Sequence, residues 1–505
     1  MTDAEEAEVG RWFAGQAEKT IETACARVYL AGGTAWKVKR RVELGYLDYS
    51  TLELRNWALQ RELRFNRAAA SDIYRAVRAV TRTPEGGLEL DGPGEVAEYA
   101  LEMRRFDEGF VLSARPWAVD GPLADSLGRE VAALHAVAPP RPEGGGGKAL
   151  KFTIDSNAKL LRELAPRLGH DRVEALVAAT DAEFFCREAL LEARRAAGFA
   201  RQCHADLHLG NILLEDGRPI LFDCIEFNDV LSDIDVQYDL AFLLMDLDFR
   251  RRRDAAVRVL SSYLDAAART VSSGLHEGLA ALPLMLSVRA GVRAHVQAHS
   301  GDDAASVAYV DAALEHLRPP PPSLTAVGGF SGSGKTTFAR MIAPGLGAAP
   351  GAVVLRTDEV RKRLAGVAPE DRLPEESYTA AFHEKVYATL IAEARAMIAA
   401  GRAVVLDATF TQPQLRSRAE ALAGEMGAPF HGVWLEASAE VLAPRIETRA
   451  GDASDATVAT LRQQMAQDLG PLDWARIDAS GPPEESAEAW IATVAEMFRA
   501  PRPGV

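Results

Sequence analysis

Residues 329 to 336 read Gly329-Phe330-Ser331-Gly332-Ser333-Gly334-Lys335-Thr336, filling every fixed position of the pattern G-x-x-x-x-G-K-[ST]. The short apolar run before them, Leu324-Thr325-Ala326-Val327-Gly328, reads as a strand, and Thr337-Phe338-Ala339-Arg340 opens a helical pattern. Strand, glycine loop and helix in that order leave few alternatives. Glycine lets the backbone curl so that successive N–H groups converge on phosphate oxygens. The helix N-terminus adds partial positive charge. Gly329, Ser331, Gly332, Ser333, Gly334 and Thr337 are therefore candidate phosphate contacts. Lys335 is placed to neutralise charge on the outer phosphates, and Thr336 to hold Mg²⁺.

Downstream, short apolar runs at 352–355, 403–406, 432–435 and 475–477 alternate with helical stretches. Strands alternating with helices imply a parallel sheet covered on both faces. Asp358 follows the second of these strands, at the edge of the sheet where such folds bind ligands, and could take a proton from an attacking hydroxyl. Arg361 lies one helical turn on and could reach the same substrate. Asp358 reads equally well as a helix N-cap. Asp407 ends Val404-Val405-Leu406 and is placed for the Mg²⁺ shell. Arg445 and Arg449 lie four apart on one helix face, just before Gly451-Asp452-Ala453-Ser454-Asp455. That arrangement suits a lid whose arginines stabilise a phosphoryl group in transfer; surface ion pairing is the plainer reading.

Four consecutive prolines, Pro319 to Pro322, stand just ahead of the first strand. They cannot continue a helix and favour a stiff spacer. The expected division is therefore 1–318, a linker at 319–323, and 324–505. Gly144 to Gly147, after a Pro-rich run, reads as a flexible surface loop.

With 505 residues, 48% apolar and 26% charged, the chain has globular composition and length for sizeable cores. Its 57 basic and 72 acidic residues give a net charge of −15, which does not favour broad nucleic-acid or anionic-membrane binding. The four cysteines are scattered, so a disulfide framework is not expected. The acidic N-terminus is unlike a signal peptide, and apolar stretches such as 279–288 are too short to span a bilayer. A soluble cytoplasmic protein without membrane association is the expectation.

The first half carries a second pattern. Residues 27–40 read as two strands around Gly32-Gly33, 51–70 as a helix, 98–104 as a strand, and 212–214 with 220–222 as a hairpin. Between them, His204-Ala205-Asp206-Leu207-His208-Leu209-Gly210-Asn211 has the form H-x-D-x-x-x-x-N, and Asp223 ends the hairpin. Asp206 would orient or deprotonate an acceptor hydroxyl, and Asn211 and Asp223 would bind Mg²⁺. A metal-hydrolase reading of His204, Asp206 and His208 needs further histidine ligands and leaves Asn211 and Asp223 unexplained.

Two resemblances follow from these residues. The segment 323–505 resembles small P-loop kinases of the gluconate kinase, polynucleotide kinase and zeta-toxin type, through its P-loop, the D-x-x-R step of Asp358 and Arg361, the Val-Val-Leu-Asp strand and the Arg-rich lid. The segment 20–300 resembles the aminoglycoside phosphotransferase family of bilobal kinases, with Ala205 where that family usually has glycine. This second resemblance implies an ATP lysine in Trp36-Lys37-Val38-Lys39. Lys37 and Lys39 share a strand face; Lys39 is preferred, with Glu62 as its ion-pair partner. It also implies an adenine-binding hinge near Met103 and makes His208 and Glu226 candidate substrate contacts. The tandem resembles bacterial proteins described as bifunctional aminoglycoside phosphotransferase-like/ATP-binding proteins. The expected fold class is multidomain: an N-terminal bilobal α+β kinase-like fold and a C-terminal α/β P-loop fold with a parallel sheet. The expected activity is ATP- and Mg²⁺-dependent transfer to a hydroxyl of a small molecule of the sugar, polyol or aminocyclitol class. The alternative makes the C-terminal part a nucleic-acid 5′-hydroxyl or nucleotide-sugar kinase beside a separate or regulatory first part. The phosphate acceptor and the oligomeric state cannot be read from the sequence.

Overall fold

In the computed structural model, residues 3–44, 47–271, 273–448 and 454–490 are described. The chain divides into two compact units. The first joins Met1–Val119, Val137–Asp155 and Glu192–Leu243; the second joins Asp120–Ala136, Ser156–Leu191 and Leu244–Val505.

The first unit is built on a six-stranded antiparallel sheet. Its strand order is Lys19–Glu22, Ala26–Ala31, Thr34–Lys39, Val96–Arg104, Tyr74–Arg82, Leu88–Leu90. The helix Leu52–Ala70 starts at Thr51, whose hydroxyl accepts from the Leu54 N–H. It buries Leu59 and Leu63 against Tyr74 and Leu101. The hairpin Ile212–Glu215 and Arg218–Leu221 turns at Asp216 and Gly217, both at positive φ, as a tight hairpin requires.

The Gly-rich stretch is not a surface loop. Residues 145–147 are buried, and the helix Gly146–Leu168 begins there. Gly145 and Gly146 have φ of 71° and 63°. A Cβ on Gly145 would lie 2.6 Å from the Ala200 Cβ, and the Gly147 N–H donates to Glu192 Oε1 at 2.7 Å. The glycines are there because the backbone passes against its neighbours too closely for side chains.

In the second unit, a five-stranded all-parallel sheet runs in the order Val353–Arg356, Val404–Asp407, Leu324–Gly329, Phe430–Glu436, Ala475–Asp478. The central strand Leu324–Gly329 is buried along its whole length, as expected for a strand covered on both faces. Trp434 and Trp474 lie so close to Gly328 that a Cβ there would approach Trp434 at 2.8 Å. The helix Arg253–Ala267, from before the proline run, packs on this sheet. Val257 joins the core of Val354, Ala352 and Ala343, and the Val354 N–H donates to the Ser261 hydroxyl at 3.1 Å.

Leu282–His299 buries Leu284, Met285, Leu286 and Val288. With the turn before it, the segment Glu277–His299 is long and apolar enough to cross a membrane by composition, so the apolar stretch is longer than the sequence reading allowed; 67% of its apolar 18-residue stretch is buried inside the protein. The four cysteines are free.

Two candidate phosphoryl-transfer sites

The P-loop site is assembled at the C-terminal ends of the parallel strands. Gly334, at φ 86°, takes the N-cap position of the helix Lys335–Ile342 and offers no side-chain cap, so an anion at this helix N-terminus would meet backbone N–H groups. Thr336 Oγ1 donates to Asp407 Oδ2 at 2.6 Å. A hydroxyl and a carboxylate in contact, both hard oxygen donors, fit Mg²⁺. Lys335 Nζ donates to the Phe330 carbonyl at 2.8 Å, folding over the loop it belongs to.

One cavity of about 1030 Å³ holds Ser331, Gly332, Gly334, Lys335, Thr336 and Thr337 at one side, and Asp358, Arg361 and Asp407 with them. Gly329 and Ser333 lie in the loop itself. The Ser333 hydroxyl is buried with no partner among the described residues, and it crowds the space beside Gly329. Arg361 is buried. Its guanidinium donates to the Ser377 carbonyl at 2.9 Å and contacts His383 Nδ1 at 3.1 Å, so much of its fork is committed to shaping the wall.

Opposite the loop, Asp455 Oδ2 accepts from the Leu373 N–H and the Tyr378 hydroxyl, both at 3.0 Å, tying two wall segments together. Burial pushes the Tyr378 phenol up, and the bond to Asp455 adds to it. The Ser331 N–H donates to Gln464 Oε1 at 2.9 Å.

Arg445 does not face this cavity. Its guanidinium donates to the carbonyls of Ala479, Ser480 and Gly481, at 2.7, 3.1 and 3.1 Å, fixing the turn after the last strand. The lid role expected of it is corrected accordingly: three carbonyls already occupy the donors a phosphoryl group would need. Arg449 lies outside the described residues.

The sequence reading missed Gln464 and Arg356. Neither belongs to a spaced motif, and each reaches the site only through folding. Asp455 entered it only as the end of the stretch after the two arginines, with no role of its own.

The second site lies in the first unit. Asn211 Nδ2 donates to Asp206 Oδ2 at 2.8 Å and to the Asp206 carbonyl at 2.9 Å. The Phe222 N–H donates to the Asn211 carbonyl at 3.0 Å, bringing Asp223 alongside. His208 Nδ1 accepts from the Gly210 N–H at 2.9 Å, and its Nε2 lies 3.5 Å from Asp206 Oδ2. His208 thus stands beside the Asp206 carboxylate, next to the position where the sequence reading expects it to contact substrate.

His204 is buried and turned inward. Nε2 donates to the Phe222 carbonyl at 2.9 Å, while Nδ1 accepts from the Asp206 N–H at 3.3 Å. Burial lowers its pKa and keeps it neutral. With both nitrogens used internally, His204 cannot join a metal-ligand set with His208.

Ala205 takes φ 70°, the left-handed conformation that glycine adopts most easily. Asp239 stabilises it by accepting from the N–H groups of His204 and Ala205, at 3.1 and 2.7 Å.

Lys37 Nζ lies 2.6 Å from Glu62 Oε1 and 3.0 Å from Asp223 Oδ1. Lys39 Nζ lies 2.8 Å from Glu62 Oε2 and 2.7 Å from Glu226 Oε1, under the Tyr49 ring. The preference for Lys39 as the nucleotide lysine is thus reversed. Lys39 is sealed at 2% side-chain exposure, whereas Lys37 is 16% exposed and reaches the candidate metal carboxylate. The Lys39–Glu62 ion pair is present as expected. Burial alone would raise the Glu62 carboxyl, but the two ammonium groups hold it down to about 2. Glu226 is also corrected: at 4% exposure and bonded to Lys39 and Tyr49, it is a buried tie and not a substrate contact. Met103 pairs with Ala35 in the sheet and packs partly buried beside Phe106 and Phe222.

Comparison with known proteins agrees with both halves. Residues 57–275 match the family described as Phosphotransferase enzyme family, and 324–468 match the AAA domain family. The chain is 32% identical over 485 residues to the uncharacterized protein Rv2004c of Mycobacterium tuberculosis, covering 92% of this chain and 93% of that one. The uncharacterized protein Mb2027c of Mycobacterium bovis matches to the same extent, 32% over 485 residues. Among solved structures, a gluconokinase from Sinorhizobium meliloti is similar at 23% identity and TM-score 0.25, covering 35% of this chain and 96% of that one. A Plasmodium vivax ethanolamine kinase is similar at 12% identity and TM-score 0.38, covering 63% and 86%. With a kinase-like phosphotransferase region followed by a P-loop kinase region, the chain belongs to the same family as these mycobacterial proteins.

Proposed function

We propose that the chain is an ATP- and Mg²⁺-dependent phosphotransferase with two nucleotide sites, passing the γ-phosphoryl group to a hydroxyl of a small molecule of the sugar, polyol or aminocyclitol class. One observation carries this reading: Lys335, Thr336, Asp407 and Asp358 open onto one cavity of about 1030 Å³, room for a triphosphate and a small acceptor together. Lys335 and the adjoining helix N-terminus hold the phosphates, Thr336 and Asp407 hold Mg²⁺, and Asp358 takes the proton of the attacking hydroxyl. The cation, when bound, screens charge on the phosphoryl oxygens. In the first unit Lys37, held by its ion pair with Glu62, anchors the nucleotide, Asn211 and Asp223 hold Mg²⁺, and Asp206 faces the acceptor. Catalysis rests on positioning and electrostatics, with no covalent enzyme intermediate. On this reading the protein works where ATP is supplied, which favours the cytoplasm.

The test offers ATP to the full chain with a panel of hydroxylated metabolites and a 5′-hydroxyl oligonucleotide, and looks by mass spectrometry for the gain of one phosphate. Lys335→Ala and Asp358→Asn should each lower turnover at the P-loop site by about 10²-fold or more. Asp206→Asn should do the same at the other site. Wild-type turnover in both Lys335→Ala and Asp206→Asn would refute the proposal. Phosphate appearing on the oligonucleotide alone would replace the small-molecule acceptor with nucleic acid.

A further inference from the structure

Arg356 ends the strand Val353–Arg356 and is buried. Its guanidinium touches both oxygens assigned above to a divalent cation. Nε lies 3.3 Å from Asp407 Oδ2, and Nη2 lies 3.3 Å from Thr336 Oγ1. Nη1 donates to Glu359 Oε1 at 2.8 Å.

The charges continue outward. Glu359 lies 3.9 Å from Arg340, and Arg340 lies 3.2 Å from Asp125. Asp125 accepts from Arg258 Nε at 3.0 Å and from its Nη2 at 2.5 Å. Three arginines (258, 340 and 356) and three carboxylates (125, 359 and 407) alternate along this line, so their charges cancel. None of the six side chains is more than 23% exposed.

An arginine does not give up its proton at any ordinary pH. The Asp407 carboxylate is therefore balanced by a fixed cation. A lone divalent cation arriving at Thr336 and Asp407 meets a neutralised carboxylate and a repelling guanidinium in a region of weak screening. A cation carried by nucleotide phosphates brings several negative charges with it, and the same guanidinium then attracts the complex.

We propose that Arg356 is a positioning residue with a second effect. It holds Asp407 and Thr336 in the ligating arrangement, and its charge excludes free divalent cations, so that the cation enters only as its nucleotide complex. The inference rests on the metal-dependent reading above and adds an order of binding to it. A purely structural role for Arg356 predicts the opposite sign: its loss would disorder the ligands and weaken every form of cation binding.

The test uses Mn²⁺ as a paramagnetic probe, followed by electron paramagnetic resonance, on the full chain carrying Asp223→Asn to silence the other candidate cation site. The parent should bind Mn²⁺ weakly alone and tightly with ADP. Arg356→Met should bind free Mn²⁺ roughly tenfold tighter or more than the parent. Arg356→Gln, neutral and polar, should behave like the methionine variant and serves if that one does not fold. Arg356→Lys keeps the charge and should still exclude free Mn²⁺, while broadening the Mn²⁺–ADP signal because one amine cannot bridge both ligands. The inference is overturned if the neutral variants bind free Mn²⁺ no better than the parent, or if the lysine variant binds it as well as they do. If the parent does not bind Mn²⁺ with ADP at all, the underlying reading fails instead.

Discussion

Lys37 and Lys39 stand one pleat apart on the same strand face and share Glu62, yet only one of them reaches Asp223. Replacing them should separate binding from stability. Lys39→Met leaves Glu226 and half of Glu62 buried without a counter-charge, and breaking a buried pair in this way costs about 3–5 kcal/mol. Lys37→Met leaves Asp223 with access to water and the buried Glu62 still paired with Lys39, so it should weaken ATP binding at this site while costing much less stability. Chemical denaturation and nucleotide titration of the two variants check this; equal stabilities would contradict the geometry. The strand period shows in the sequence that both lysines share a face. It cannot show which of them lies deeper, because that depends on Glu226, which the fold brings from 187 residues away. Arg445 was misread for a similar reason. Its spacing from Arg449 is that of a helix face, but its partners are carbonyls of a turn more than thirty residues on.

At the scale of elements, the parallel strands were readable because each is a short apolar run between glycines or polar caps. A strand buried on both faces has to look that way. The glycines at 144–147 were not readable, since a mobile linker and a close backbone crossing use the same residue. Histidines hidden in helices are similarly silent in sequence. His316 ends the helix Asp303–His316 at 7% exposure, and its Nδ1 has no partner among the described residues. Burial lowers its pKa to about 4; Asp248 opposes this, while Arg253 and Arg402 add to it. The folded pKa thus lies below the unfolded value near 6.5. Stability is full above pH 6.5 and falls as the pH drops toward 4, because the unfolded chain takes up the proton first. Between pH 7.5 and 5.0 this one group should cost about 2 kcal/mol. His316→Met should reduce the acid loss by that amount in urea titrations at the two pH values. An unchanged difference would mean that the imidazole is protonated in the fold.

For the whole molecule, the four prolines mark a change of composition but not the limit of the packed core. The helix Arg253–Ala267 precedes them by about fifty residues, yet it supplies Val257 to the core of the P-loop sheet and a hydroxyl acceptor, Ser261, to the edge strand Val353–Arg356. Edge strands left unpaired and uncovered lose stability and invite association. The fragment 319–505 should therefore melt at a lower temperature than the same sheet does in the full chain, and should tend to self-associate. Within the full chain, Val257→Ala removes two methyl groups from a packed site and should cost about 1–3 kcal/mol. Calorimetry of the fragment, and of the full chain and the Val257→Ala variant each carrying Lys37→Met to weaken nucleotide binding in the first unit, with and without ADP, tells which transition belongs to the P-loop sheet, since nucleotide raises the transition of the unit that binds it. If the fragment's ADP-sensitive transition coincides with that of the full chain, the helix Arg253–Ala267 contributes nothing to the sheet it covers.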